Sequence, residues 1–137
     1  MTATPDVVLD ASVAIRALVD RDKDALRWFD RIQAGEVVAA WPELALVEVA
    51  NALTTLVRAG RVTPALSARS LAFALDAPIR AEPLAALVSA AFALGLARTL
   101  SAYDACYVVL AEALDATLVT ADRRLASAVQ NAVLITG

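Results

Sequence analysis

The stretch VVLDASVAI, residues 7–15, decides the fold because an apolar run leads directly into an acid and then into a helical pattern. VVL is apolar throughout, which predicts a strand buried on both faces. A carboxylate that follows such a strand lies at the sheet edge where α/β proteins bind their ligands. The stretch therefore predicts an α/β protein whose chemistry is centred on Asp10.

The same alternation of short apolar runs and longer helical patterns continues along the chain. Strands are predicted near residues 6–9, 36–40, 78–81, 117–120 and 132–136. Helices are predicted at about 12–20, 23–34, 43–59, 64–76, 83–96, 102–114 and 122–130. Strands joined by helical crossovers form a mostly parallel sheet covered on both faces. No linker or repeat interrupts the pattern, so we expect one domain over residues 1–137.

Composition narrows the class of protein. The chain has 137 residues and is 60% hydrophobic, yet its longest uncharged run, residues 83–97, is too short to cross a bilayer. Fifteen acids against 12 bases give a net charge of -3, which disfavours broad electrostatic attraction to nucleic acid. The lone Cys106 and the absence of a secretory pattern at the start predict a cytoplasmic protein with no membrane association.

The chain contains no histidine. This excludes catalytic triads built on histidine and metal sites that use imidazole ligands from this chain. Carboxylates are then the main candidates for acid, base or metal chemistry. The acids whose positions favour such a role are Asp10, Glu48, Asp104 and Asp122.

Asp10 and Asp122 each follow a predicted strand and precede a predicted helix. Both can be interpreted as helix N-caps, which are commonly Asp. A helix cap needs only Asp10 and gives no reason for Ser12 two residues later. At a metal site, the Ser12 hydroxyl can support the carboxylate of Asp10. Two acids at the carboxyl ends of parallel strands would also face one crevice.

Asp104 lies in the first turn of a predicted helix. Ser101 and Asp104 have the spacing of a capping box, which is common at helix starts, but the same position can also face a crevice. Tyr103 and Tyr107, which are separated by four residues, are interpreted as core residues.

Glu48 shares one side of a predicted helix with Asn51 and Thr55. A solvated helix face explains these polar residues without any function. The polar strip is narrow, however, which predicts a mostly enclosed helix with Glu48 facing a polar cleft.

If the four acids converge, their carboxylates repel one another and a divalent cation relieves the repulsion. Oxygen ligands without His or Cys suit Mg²⁺ or Mn²⁺ rather than Zn²⁺. Such a site hydrolyses phosphoesters, because the metal binds a phosphate oxygen and lowers the pKa of a bound water. The bases nearest the acids in sequence are candidates for phosphate contacts: Arg16, Arg98, Arg123 and Arg124.

Four segments, in this order, resemble the PIN-domain family and in particular the VapC-type toxins of bacterial toxin–antitoxin pairs: VVLDASVAI, PELALVEVANAL, SAYDACYVVLAEAL and LVTADRRL. The resemblance implies a three-layer α/β/α fold and an endoribonuclease that depends on Mg²⁺ or Mn²⁺. It also implies a homodimer and a cognate antitoxin that covers the cleft. The functional positions it implies are the acids Asp10, Glu48, Asp104 and Asp122, the supporting hydroxyls of Ser12 and Thr120, and the amide of Asn51.

The residues leave two other functions open. One is a PIN-like module that binds RNA or protein without cleaving, which an Asp10→Asn or Glu48→Gln variant with full biological effect would favour. The other is a Mg²⁺-dependent phosphatase with Asp10 as covalent nucleophile. That chemistry usually has a second acid close behind the first, and Ser12 occupies the corresponding position.

Overall fold

A five-stranded parallel sheet forms the centre of the computed structural model, which describes residues 3–136. The strands are β1 (Val7–Leu9), β2 (Ala39–Pro42), β3 (Ile79–Glu82), β4 (Thr117–Thr120) and β5 (Ala132–Leu134). Their order across the sheet is β3-β2-β1-β4-β5 and every neighbouring pair is parallel. β1 is therefore central, and all its residues are buried as VVL predicts.

Seven α-helices within the described residues connect the strands and cover both faces of the sheet. They are α1 (Ala11–Leu18), α2 (Lys23–Gln33), α3 (Leu44–Arg58), α4 (Pro64–Asp76), α5 (Val88–Arg98), α6 (Ala102–Leu114) and α7 (Arg123–Ala126). A short 3-10 helix, Leu84–Ala86, precedes α5. The predicted α/β class and its three-layer α/β/α arrangement are confirmed.

Some predicted boundaries are wrong. β2 begins at residue 39 instead of 36, because Gly35 turns the chain at a φ of 76° and the Glu36 amide still bonds to a carbonyl of α2. The predicted helix over 122–130 ends at residue 126 as α7. There the Ser127 hydroxyl donates to the Arg124 carbonyl at 2.7 Å, a local bond that competes with helix continuation.

Helix α3 is less enclosed than its sequence predicts. Its buried residues are Ala45, Val49 and Leu53, which form a single stripe against the core. Val47 is 67% exposed, so the prediction of a mostly enclosed helix is wrong. Aliphatic residues at neighbouring positions outside the stripe simply remain at the surface.

No helix within residues 3–136 combines the length and the apolar character that crossing a membrane requires.

Candidate active site

The carboxyl edge of the sheet brings together the four acids that the sequence singles out. Asp10 follows β1 and Asp122 lies two residues after the end of β4, its parallel neighbour. Asp104 is in the first turn of α6, and Glu48 lies on α3. The charges of Asp104 and Asp122 act on Asp10, and those of Asp10 and Asp104 act on Glu48, so the four acids form one cluster. The space in front of this cluster is called the cleft.

Asp10 is held by two hydroxyl groups rather than by a helix cap. Its Oδ2 accepts hydrogen bonds from Ser12 Oγ at 2.6 Å and from Thr120 Oγ1 at 2.7 Å. Within residues 3–136 its side chain accepts no bond from the first amides of α1, so interpreting the carboxylate as an N-cap is wrong. Only 8% of the residue is exposed.

Backbone amides fix the direction of both hydroxyl bonds. Ser12 Oγ accepts from the Ala121 amide at 3.0 Å, and Thr120 Oγ1 accepts from the Asp122 amide at 2.9 Å. Each hydroxyl has one proton, which it donates to Asp10. The network ties the end of β1 to the end of β4 and holds Asp10 in one orientation.

Glu48 has a buried partner whose place at the site is not evident from the sequence pattern. Tyr107, which is only 1% exposed, donates its hydroxyl proton to Glu48 Oε1 at 2.5 Å. The prediction of Tyr107 as a core residue is correct but incomplete, since a buried phenol usually finds a hydrogen-bond partner. Asn51, one turn beyond Glu48, is exposed, and its side chain makes no hydrogen bond within residues 3–136.

Asp104 and Asp122 each combine a structural bond with a position on the cleft. The Asp104 amide donates to Ser101 Oγ at 3.0 Å, which confirms half of the predicted capping box. The carboxylate of Asp104 does not complete the box, because its Oδ2 accepts a hydrogen bond from Arg124 Nη2 at 3.2 Å. Asp122 is confirmed as the N-cap of α7, because its Oδ1 accepts from the amides of Arg124 and Leu125 at 2.9 and 3.3 Å.

Burial and the clustered negative charge raise the pKa values of two of the four acids, Asp10 and Glu48. Burial is the main cause that raises the pKa of Asp10, and the charges of Asp104 and Asp122 raise it further, against the lowering effect of the two hydroxyl bonds. Burial also raises the pKa of Glu48, and Asp10 and Asp104 add to the effect, although the bond from the Tyr107 hydroxyl lowers it. The site therefore favours a bound cation.

Each of the four acids keeps one oxygen free of hydrogen bonds within residues 3–136. These atoms are Asp10 Oδ1, Glu48 Oε2, Asp104 Oδ1 and Asp122 Oδ2. No buried side-chain oxygen or nitrogen in that range lacks a hydrogen-bond partner, so these free oxygens are accessible to solvent.

The donor set fits a hard divalent cation, but the acids do not form a ready-made cage. No group of three or more His, Cys, Asp or Glu side chains in residues 3–136 is arranged to hold a metal ion. Mg²⁺ commonly uses one or two carboxylates and fills its remaining positions with water and substrate phosphate. A cleft with separate free carboxylate oxygens is compatible with that mode of binding.

Among the predicted phosphate contacts, only Arg124 contacts one of the four acids in the part of the chain that the structure describes. Arg16 lies within 3.9 Å of two acids in the loop after α1. Arg98 forms a 3.1 Å ion pair with an acid of α6 outside the cleft. Arg123 is exposed. The phosphate role of these arginines stays a prediction.

A parallel α/β/α fold with four acids at the carboxyl edge of its sheet is the arrangement that the PIN-domain resemblance implies. A model of the PIN domain matches residues 7–130, and the chain therefore belongs to the PIN-domain family. Within that family its curated relatives are VapC proteins. It is 35% identical over 123 residues to VapC ribonuclease Mb0985 of Mycobacterium bovis and to Ribonuclease VapC9 of Mycobacterium tuberculosis, with 87% of each chain covered.

A solved structure supports the same fold. The protein PAE2754 from Pyrobaculum aerophilum superimposes with a TM-score of 0.74 at 28% identity. The match covers 94% of the present chain and 83% of the other. The predicted resemblance to VapC-type PIN domains is thus confirmed by the family model and the curated relatives, and the solved structure supports the fold.

Proposed function

We propose that the chain is a Mg²⁺- or Mn²⁺-dependent endoribonuclease and the toxin of a toxin–antitoxin pair. The observation that carries the proposal is the cluster of four acids at the carboxyl edge of the sheet, each with one oxygen free of hydrogen bonds within residues 3–136. Its curated relatives are named VapC and ribonuclease, which supports RNA as the substrate. The proposal treats residues 1–137 as a single PIN-like domain that acts in the cytoplasm.

Asp10, Glu48, Asp104 and Asp122 are the residues that would hold the cation. Bound there, such a cation would polarise a phosphodiester and would make the attacking water more acidic. The chain's own contribution is to hold the carboxylates in place. Ser12 and Thr120 hold one oxygen of Asp10, while Tyr107 holds one oxygen of Glu48. Hydrolysis by a water that a metal activates needs no side-chain nucleophile.

The proposal is tested by incubating a mixed RNA pool with the purified, antitoxin-free chain in Mg²⁺, Mn²⁺ or EDTA. We expect internal cuts with either metal, none in EDTA, and recovery when excess metal is returned. Addition of the cognate antitoxin should stop the cutting. Cleavage that persists in EDTA would contradict the metal requirement.

A binding module that does not cleave is the second candidate. It is favoured by the finding that residues 3–136 hold no group of three ligands already arranged around an ion. Failure of the wild-type chain to cut RNA with any metal, together with retained RNA binding in EDTA, would support this module over the nuclease.

We also propose a homodimer. Helix α5 presents a stripe of exposed apolar side chains, Val88, Phe92 and Leu96, which are 53, 64 and 72% exposed. Contiguous apolar surface of this kind commonly marks a protein interface. Light scattering during size exclusion is expected to give twice the mass of the chain, and Phe92→Lys is expected to shift the mass towards the monomer. A monomeric wild-type chain at micromolar concentration would contradict the proposal.

A further inference from the structure

Tyr107 extends from the core to the wall of the cleft. It lies on α6 one turn after Asp104, and its side chain is enclosed by the buried apolar cluster. Its hydroxyl is 2.5 Å from Glu48 Oε1 on α3 and 3.4 Å from the amide of Ala11 at the start of α1. One buried hydroxyl therefore connects three helices, of which α3 carries Glu48, α6 carries Asp104 and α1 follows Asp10.

The partners of this hydroxyl decide where its proton lies. The first amides of a helix have no acceptor within the helix. The Ala11 amide donates a long hydrogen bond, of 3.4 Å, to the hydroxyl oxygen of Tyr107. The hydroxyl has a single proton, which is left for the carboxylate of Glu48. A phenol has an ordinary pKa of about 10, so it keeps this proton at neutral pH.

We propose that Tyr107 is a positioning residue, whose hydroxyl fixes Oε1 of Glu48 and thereby holds Oε2 towards the cleft. This inference rests on the proposed function, because the cation is the group that Oε2 would meet. Asp10 is held in the same manner, with Ser12 and Thr120 on one oxygen and the other oxygen left free. Hydroxyl donors thus orient both Asp10 and Glu48.

A purely structural role for Tyr107 makes a different prediction. In that case the phenol oxygen only satisfies buried polar groups, and Tyr107→Phe lowers the melting temperature without changing metal affinity or turnover. If Tyr107 positions Glu48, both metal affinity and turnover fall even where the variant remains folded. Partners that orient a metal ligand typically change affinity or activity by about 10- to 100-fold.

The experiment compares Tyr107→Phe with Tyr103→Phe, a matched control on the same helix whose side chain is 64% exposed. Thermal unfolding reports the fold, and a Mn²⁺ titration followed by electron paramagnetic resonance reports metal affinity without RNA. We expect Tyr107→Phe to weaken Mn²⁺ binding and to lower kcat for RNA cleavage, each by about 10-fold or more, with little change in KM. Tyr103→Phe is expected to match wild type.

A double-mutant cycle tests whether Tyr107 acts through Glu48. In a Glu48→Gln background, Tyr107→Phe is expected to cause little further loss, since coupled residues are not additive. Should Tyr107→Phe fail to fold, Glu48→Asp provides the second test. It keeps the charge but withdraws the carboxylate from the hydroxyl, so it must also weaken Mn²⁺ binding.

Two negative results have different meanings. A wild-type chain that neither binds Mn²⁺ nor cuts RNA overturns the proposed function and this inference with it. An active wild-type chain with a folded Tyr107→Phe variant that binds Mn²⁺ and turns over normally overturns the inference alone. The same holds if the losses from Tyr107→Phe and Glu48→Gln are fully additive, or if Glu48→Asp binds Mn²⁺ as tightly as wild type.

Discussion

Asp10→Asn is expected to abolish RNA cleavage while leaving the chain folded. The amide oxygen of Asn can accept both hydroxyl bonds that Asp10 Oδ2 accepts from Ser12 and Thr120, so the local network is kept. The negative charge is lost, and with it the oxygen that would hold a cation. Charge stabilisation by a catalytic metal is worth several kcal/mol, so we expect a loss of about 10³-fold or more.

The stability of the same variant separates loss of function from loss of fold. Burial and neighbouring carboxylates raise the pKa of Asp10, so its ionised form is disfavoured in the folded chain. An acid whose pKa is higher in the folded chain than in the unfolded chain lowers the free energy of unfolding as pH rises between these two pKa values. Above both values the whole loss of stability is present. Asn remains neutral, so without added metal the variant should melt at or above the wild-type temperature at neutral pH.

A matched control is Asp30→Asn, the same change at an exposed position of α2. It should leave cleavage and melting temperature unchanged. A folded Asp10→Asn variant that cuts RNA at the wild-type rate would remove Asp10 from the mechanism. A variant that loses activity because it unfolds would contradict the claim that its network tolerates Asn.

Glu48→Gln is expected to have the second-largest effect. Gln offers an oxygen in the place of Oε1, so it can still accept the bond from Tyr107. It replaces a charged ligand by a neutral one, and we expect cleavage to fall by about 100-fold or more. The measurement is the initial rate on the same RNA at saturating Mg²⁺, with a Mn²⁺ titration in parallel.

The control for this change is Glu36→Gln in the turn after α2, where the acid is exposed. It should behave as wild type in both assays. If Glu48→Gln keeps the wild-type rate and the wild-type Mn²⁺ affinity, Glu48 is no part of the metal site. In that case its bond to Tyr107 serves only the packing of α3 against α6.

The fold could be predicted from local pattern because its strands are short, apolar and separated by helices. VVL at residues 7–9 is buried on both faces, which only a central strand of a covered sheet requires. Element boundaries were harder to predict, since they depend on single turns. α2 ends before Gly35 and α7 ends before Ser127. Local hydrogen bonds cause both endings, and they cannot be predicted from hydrophobic periodicity.

The positions of the four acids could be predicted because three of them begin helices or follow strands. Their partners could not, because those contacts join residues far apart in sequence. Tyr107 and Glu48 are separated by 59 positions, and Thr120 and Asp10 by 110. The spacing of Tyr103 and Tyr107 predicts two core residues, but Tyr103 is 64% exposed, so that prediction is wrong for Tyr103. Only the packing of α6 distinguishes the two.

The central claim is that the carboxylates of this cleft cleave RNA by means of a divalent cation. Its most direct test is the rate of RNA cleavage as a function of Mn²⁺ concentration, measured side by side for wild type and Asp10→Asn. We expect a wild-type rate that rises from background and saturates with Mn²⁺, and a variant rate that stays at background throughout. Superimposable curves for the two chains, or a wild-type rate independent of Mn²⁺ down to EDTA-treated samples, would contradict it.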